Sequence, residues 1–310
     1  MKLRVAVVAG ALAVLAGTAA AEPLLRWLHE TGLGEPGTFA FTPRYPLWSD
    51  GAAKRRWIRL PAGTAIDASN ADAWEFPVGT RLWKEFGFDR AIETRMLERL
   101  ADGSWRFATY VWNAEGTSAD LAPAEGFRAL PIAAAPNGRY AVPSRNDCLA
   151  CHGGPAVPVL GFSALQLGPE LRDLAARGVV RNLSPSLLSS PPQIAASTPA
   201  ARAALGYLHG NCGHCHNDAG AVAGVDLVFV QRTGDADTSA SQTLSSVFGR
   251  ASRFRAAGSA AATRDNVILQ RMRSTSPYTR MPPLGVQVVD REGVALVERW
   301  IHQSTEENAP

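Results

Sequence analysis

The sequence is poor in lysine and cysteine and has little net charge. Of its 31 basic residues only Lys2, Lys54 and Lys84 are lysines, and 28 acidic residues almost balance the basic total. Proteins that bind nucleic acid usually have a strong basic excess, so we expect no nucleic-acid partner. Past the N-terminus, no apolar stretch reaches the roughly 20 residues that a membrane-spanning helix needs, and we expect no transmembrane segment after signal cleavage.

The N-terminus has the three parts of a secretory signal peptide. Residues 1–4 are basic, an alanine-rich apolar run extends from Val5 to about Leu15, and Ala19-Ala20-Ala21 follows. This order is typical of an exported protein, and the apolar run is short for a membrane anchor, which is the alternative. The sequence predicts cleavage after Ala21 and a location in the periplasm.

All four cysteines lie in two C-x-x-C-H motifs. These are Cys148-Leu149-Ala150-Cys151-His152 and Cys212-Gly213-His214-Cys215-His216. The pattern is typical of covalent c-type haem attachment, because two thiols at this spacing reach the two vinyl groups of one haem and the histidine ligates its iron. The sequence therefore predicts two covalently attached c-type haems, with His152 and His216 as proximal iron ligands.

Other interpretations of a C-x-x-C-H motif are a disulfide, a thioredoxin-like redox pair and half of a zinc site. A redox pair is expected at the start of a helix that follows a buried parallel strand, and neither motif is predicted to have that setting. A four-cysteine zinc site requires the two pairs to meet. Together with the export signal, these considerations favour the haem interpretation.

A sixth iron ligand is predicted for the second haem only. Met281 is followed by two prolines, and such a stiff loop can hold a thioether against iron and raise the reduction potential. Four other residues compete for this role. Met272 lies in a helical core pattern, and His302 lies near the C-terminus. His209 and His214 are too near the attachment site to reach the opposite face of the haem easily. The first haem has only Met96, in a predicted strand, and His29, in the N-terminal arm, so both an open iron and a six-coordinate relay with an unidentified ligand stay possible.

The predicted fold class is α+β, in two domains over residues 22–192 and 193–310. Alternating residues from Trp57 to Trp112, with an Asp102-Gly103 turn, predict an antiparallel sheet after an N-terminal arm that has a short helical pattern near Leu24–Leu28. Residues 153–192 are predicted as loops with one helix, Pro169–Ala176. Helical patterns then cover Ala200–Leu208, Arg264–Arg273 and Arg291–His302.

The second half resembles class I cytochrome c. Cys212, Cys215, His216, the Met281-Pro282 loop and a terminal helix with Trp300 are the matching features. The resemblance implies an all-helical domain and outer-sphere electron transfer, and the insert between Val222 and Ala262 exceeds what a minimal member needs.

Two further resemblances concern the first half and the chain as a whole. Residues 45–52 and 76–80, with Trp112-Asn113 and the second-half motifs, are similar to an uncharacterised family of exported di-haem cytochromes. The β-rich part with Cys148 is distantly similar to cytochrome P-460 and cytochrome c′-β. Hydroxylamine-oxidising members of that group cross-link a strand lysine to haem, and the Ile92–Arg99 strand has none.

The sequence thus predicts a periplasmic di-haem cytochrome that transfers electrons between periplasmic redox partner proteins. The alternative is a haem oxidoreductase or gas-binding protein that uses an open first iron, with the second haem as its electron port.

Three arginines near the start of the predicted sheet have two interpretations. Arg55, Arg56 and Arg59 either hold the propionates of a haem or are solvated residues of a strand. The tryptophan side chains are expected to pack in the hydrophobic core rather than on a haem face; they are Trp48, Trp57, Trp83 and Trp105.

Overall fold

A computed structural model describes residues 23–155, 157–249 and 266–307 of the chain. The predicted signal peptide lies outside these residues. The strands are β1 Thr38–Ala40, β2 Ala53–Arg59, β3 Ile66–Asp67, β4 Arg81–Gly87, β5 Ala91–Arg99, β6 Trp105–Trp112, β7 Ala119–Leu121, β8 Phe127–Pro131, β9 Arg139–Val142 and β10 Val180–Arg181. The α-helices are α1 Arg145–His152, α2 Ala164–Leu167, α3 Glu170–Ala176, α4 Pro185–Ser189, α5 Pro199–Asn211, α6 Ala236–Phe248, α7 Val267–Arg273 and α8 Arg291–Glu307.

A six-stranded antiparallel sheet forms the centre of the first half. Its strand order is β1-β2-β4-β5-β6-β7, and the Asp102-Gly103 turn joins β5 to β6 as predicted. Gly103 has a φ of +83°, which a residue without a Cβ adopts without strain, and Ser104 N donates to Asp102 Oδ1 at 2.9 Å. The expected α+β class with an antiparallel sheet is confirmed.

The two faces of this sheet are covered differently. The outer face carries Trp83, Met96 and Tyr110, and the N-terminal arm packs on it through Leu28. Trp83 Nε1 also donates to Thr31 Oγ1 of the arm at 3.0 Å. The inner face, which bears Ile58, Leu82 and Phe86, is covered by the segments that follow β7, and it therefore faces the first C-x-x-C-H motif.

The second half is built from helices that share one apolar core. Val297, Trp300 and Ile301 of α8 are 0%, 3% and 0% exposed and pack with Leu208 of α5 and Leu269 of α7. Burial of one such side chain stabilises the fold by about 1.5–3 kcal/mol. The helices predicted at Ala200–Leu208 and Arg291–His302 are confirmed; α7 begins at Val267, and residues 264–265 of the third pattern lie outside the described residues.

Two segments contain more regular structure than predicted. Residues 153–192 include α3 as expected but also α2, α4 and β10, and β10 pairs in parallel with β3. The N-terminal arm forms a 3₁₀ helix at Leu28–Thr31 and strand β1 instead of a helix near Leu24. Elements this short have no periodic pattern and are fixed by partners distant in sequence.

The two halves are joined by polar contacts as well as by packing. Asp50 accepts hydrogen bonds from Gln287 N and Val288 N, each at 2.9 Å to Oδ1, and Asp72 accepts from Thr233 N at 2.6 Å and Gly234 N at 2.8 Å. Charge-assisted bonds of this kind are stronger than neutral ones. Among the helices of the described ranges, none combines the length and the apolar character needed to cross a bilayer.

Candidate functional site

The first C-x-x-C-H motif occupies helix α1. Ser144 caps the helix, because its Oγ accepts from Asp147 N at 3.1 Å while Asp147 Oδ2 accepts from Ser144 N at 2.9 Å. Positions three and four apart share one side of a helix, so Cys148, Cys151 and His152 project in neighbouring directions. The strand before α1 is β9 of a two-stranded antiparallel sheet, so the motif lacks the buried parallel strand of a thioredoxin-like pair.

His152 is held in the tautomer that suits a metal ligand. Its Nδ1 lies 2.5 Å from Pro158 O and donates to it, and its ring centroid lies 5.3 Å from that of Phe107. Burial lowers the pKa of His152 to about 4, so the ring is neutral and Nε2 keeps its lone pair. Iron-ligating histidines are commonly oriented by a carbonyl in this way.

The second motif follows helix α5 directly. The chain turns at Cys212, where His216 N donates to Cys212 O at 2.9 Å. The buried side chain of Asn217 holds this turn, since its Nδ2 donates to Gly213 O at 2.9 Å and to His214 O at 3.1 Å. The motif is therefore a loop held by backbone hydrogen bonds and by the side chain of Asn217.

A largely apolar cavity of about 260 Å³ opens beside the second motif. Cys212, Cys215 and His216 line it, and Met281 lines it as well. The other lining residues include Val222, Val225, Leu227, Phe229, Val247, Val267, Ile268, Met272, Pro282 and Pro283. His216 Nδ1 is buried and has no hydrogen-bond partner in the described part of the chain. Two thiols, an imidazole and a thioether on an apolar cavity form a donor set that fits a c-type haem.

The competing ligands are placed less well than Met281. Met272 lines the cavity but belongs to the core, at 8% exposure. His302 is exposed at the end of α8. His209 lines a different cavity of about 230 Å³ between the halves, where its Nδ1 accepts from Gln231 N at 3.0 Å and burial lowers its pKa to about 4.

The two motifs touch each other. Ligand atoms of Cys151, His214 and Cys215 all lie within 4.8 Å of one another, and Cys215 Sγ donates to Ala150 O at 3.6 Å. The hydrogen bond between the two cysteines raises the pKa of Cys151 to about 12, with burial adding to it, and lowers the pKa of Cys215.

This contact bears on the zinc interpretation. The cysteine pairs do meet, which the sequence did not predict, but only one cysteine of each pair takes part. Cys212 instead lines the apolar cavity, and Cys148 lines a small pocket beside β6. Within the described ranges, the cluster is two cysteines and one histidine rather than four cysteines.

Charged residues occupy the inner sheet face near the first motif. We call Arg56, Lys84 and Arg95 the cation row, because the register pairs Arg56 with Lys84 and Lys84 with Arg95 across β2, β4 and β5. Lys84 and Arg95 are close enough to His152 to lower its pKa further. The sequence did not lead us to predict this row. A basic residue at an inward-facing position of each of three alternating strands is the signal that could have revealed it.

The three arginines of β2 have separate environments. Arg55 pairs with Glu85 at 2.6 Å and Arg59 with Glu35 at 2.8 Å, whereas Arg56 is only 8% exposed. The interpretation of Arg56 as a solvated strand residue is therefore wrong. Burial of Arg56 follows from strand alternation, which turns it toward the inner face.

Neither candidate for a sixth ligand of the first iron reaches the inner face. Met96 is 2% exposed on the outer face, and His29 is exposed in the N-terminal arm. The side chain that lies against the His152 ring is Phe107.

No protein-family model matches the chain, and no curated protein and no solved structure matches it.

Proposed function

We propose that the protein is a periplasmic di-haem c-type cytochrome that transfers electrons. The observation that carries the proposal is the contact between the two C-x-x-C-H motifs, which brings Cys151 and Cys215 within 4.8 Å. A bound haem supplies an iron that takes up and releases one electron. Two attachment sites in contact suit a protein that passes electrons from one site to the other.

The residues of the second site have distinct tasks in this proposal. Cys212 and Cys215 would anchor the haem, and His216 and Met281 would ligate its iron. The apolar walls exclude water, and the thioether favours ferrous iron. Helices α6 and α7 line this cavity and share one apolar core with α5 and α8, which supports a class I cytochrome c type of domain.

The first site has the same types of attachment residue, but its histidine is oriented by a backbone carbonyl. Cys148 and Cys151 anchor and His152 ligates, with Pro158 O fixing its orientation. Burial raises the pKa of Cys148, so this thiol stays protonated before attachment. Periplasmic redox proteins are the proposed donor and acceptor.

Haem and metal content of the purified chain test the proposal. We expect two haems per chain by the pyridine haemochrome assay, one in the Cys148→Ala/Cys151→Ala variant and one in the Cys212→Ala/Cys215→Ala variant. Met96→Leu, on the outer sheet face, is the control and keeps both haems. One zinc ion per chain without haem would assign Cys151, His214 and Cys215 to a zinc site and end the proposal.

A second candidate function is supported by the cation row. A haem oxidoreductase or gas-binding protein needs an iron with an open position in a polar pocket. The first site has charged side chains nearby, and neither Met96 nor His29, the two candidates for its sixth ligand, reaches the inner sheet face. In this candidate the second site is the electron port.

A further inference from the structure

The cation row lies in the middle of the inner sheet face. At one end of this face, Ile58 and Leu82 join the core that contains Phe162 and Leu171. At the other end, Phe86 joins a separate apolar cluster. The row thus separates two apolar clusters, and the first motif is packed over the same face.

Among the described residues, Arg95 is the one member of the row that forms an ion pair. Arg95 forms a forked pair with Glu93, and Tyr140 OH donates to the same Glu93 Oε1 at 2.7 Å. In the described part of the chain, Arg56 and Lys84 donate no side-chain hydrogen bond and form no ion pair. Lys84 approaches the Phe86 ring, with Nζ 4.8 Å from its centroid, and Glu93 is near enough to raise its pKa, which opposes the lowering by burial and by neighbouring cations.

Such an arrangement is unstable without a counter-ion. A buried, unpaired cation carries a penalty of several kcal/mol, which proteins avoid by pairing or by coordinating a ligand. Consistent with this, burial lowers the pKa of Arg56 to about 10 and the pKa of Lys84 well below its usual value, and neighbouring cations lower the latter further. Nearby Lys54 adds positive charge, although its Nζ donates to Leu47 O at 2.6 Å.

We propose that Arg56 and Lys84, backed by Arg95, bind the carboxylate or oxyanion of a ligand beside the first C-x-x-C-H motif. Arginine offers a planar fork for two oxygens and lysine offers a single strong donor, which together suit a carboxylate or a phosphate-like anion. The anion has two possible sources with the same chemistry. One is a propionate of the first haem, and the other is a free small anion that acts as substrate or effector.

Thermal unfolding of the full chain distinguishes the sources. The probes are sodium acetate and sodium phosphate, with sodium chloride at equal ionic strength as the reference. A free-anion site predicts that one probe raises the unfolding temperature of the wild type. Arg56→Gln and Lys84→Met each weaken its apparent affinity about tenfold or more, because each removes a charge-assisted hydrogen bond. The control Arg55→Gln, on the opposite face of the same strand, leaves the affinity unchanged.

A propionate site predicts a different pattern. The wild type does not respond to the probes, but the Cys148→Ala/Cys151→Ala chain responds to acetate. In the chain with both haems, Arg56→Gln and Lys84→Met lower the midpoint potential of the first haem, because lost positive charge favours ferric iron, and Arg55→Gln does not.

The proposal is wrong if neither chain responds to either probe and both variants raise the unfolding temperature without a shift in potential. That result would show that the two cations are unpaired and simply destabilising. The haem content of the same samples separates this failure from failure of the proposed function. A chain without haem whose Arg56 and Lys84 still bind an anion refutes only the cytochrome assignment.

Discussion

The same five-residue motif occurs twice in this chain, in two opposite environments. The motif at Cys212 is a loop beside an apolar cavity, with Met281 on the same cavity and, within the described ranges, no hydrogen-bond partner for His216 Nδ1. The motif at Cys148 is a capped helix over a charged sheet face, with His152 already oriented by Pro158 O. The motif itself is local in sequence, whereas its surroundings are provided by residues far away in sequence.

The difference suggests a division of labour. An apolar cavity with a thioether stabilises reduced iron and excludes ligands, which suits an electron carrier. A site bordered by unpaired cations suits the binding of a charged or polar molecule. Four measurements test this contrast.

Binding of carbon monoxide gives the largest effect, because it is all or none at each iron. If the first iron is open, we expect the reduced protein to bind carbon monoxide at one of its two haems, seen as a Soret shift of half the maximal amplitude. The Cys148→Ala/Cys151→Ala chain should then show no shift. Low-spin, unresponsive haems at both sites would instead leave two electron relays and end the contrast in reactivity.

Loss of Met281 should remove the high reduction potential that we expect of the second haem. Met281→Ala is expected to lower the midpoint potential of the second haem by roughly 0.1–0.3 V, within the ~0.8 V range that axial ligands span. A spectroelectrochemical titration measures both haems at once, and the first should not change. Met272→Leu, in the same cavity, is the matched control; a large drop there and none in Met281→Ala would make Met272 the ligand.

Asp50 connects the first half to the loop that follows Met281, and its removal should have an intermediate effect. Asp50→Ala leaves Gln287 N and Val288 N without their acceptor, at about 1 kcal/mol or more of unfolding free energy. We expect urea denaturation to show this loss and part of the reduced population to bind carbon monoxide at the second haem. Asp102→Ala, a carboxylate in a hairpin turn far from Met281, should leave the second haem closed. An Asp50→Ala protein with an unaltered second haem would show that the loop holds Met281 unaided.

His209 between the halves should give a small pH effect. Its pKa is about 4 in the fold and 6.5 in the unfolded reference, so the unfolded chain binds more protons between these values. Stability is therefore complete above about pH 6.5 and decreases as the pH falls toward 4. His209→Asn keeps an acceptor for Gln231 N and should flatten this slope in unfolding measurements between pH 4 and 7. His29→Gln, at an exposed position, should keep the wild-type slope, and an identical slope in all three proteins would exclude His209 as its source.

The sequence predicted those elements that have a periodic pattern. Strands β4 to β6, the Asp102-Gly103 turn and helix α8 were found because their apolar residues recur at strand or helix spacing. Strand β10 was missed, since its two residues pair with Ile66 and Asp67, which lie far away in sequence. Short parallel pairings of this kind leave no local signal.

The candidate site was also predicted in part, through its motifs but not through the contacts between them. The placement of Met281 on the cavity of Cys212 agrees with its predicted role, which stays a prediction until iron is shown there. The contact between Cys151 and Cys215 and the orientation of His152 by Pro158 O depend on packing between segments, and no spacing in the chain indicates them.

One consequence concerns Gly154 and Gly220, the glycines in the loops that follow the two motifs. A Cβ at Gly154 would lie 2.6 Å from Gly220 Cα, closer than real atoms approach. At this point main chain packs directly on main chain, and any side chain at Gly154 would push the two loops apart. If the two sites hold haems, as proposed, a longer separation would slow electron transfer between them, because electron tunnelling slows steeply with distance.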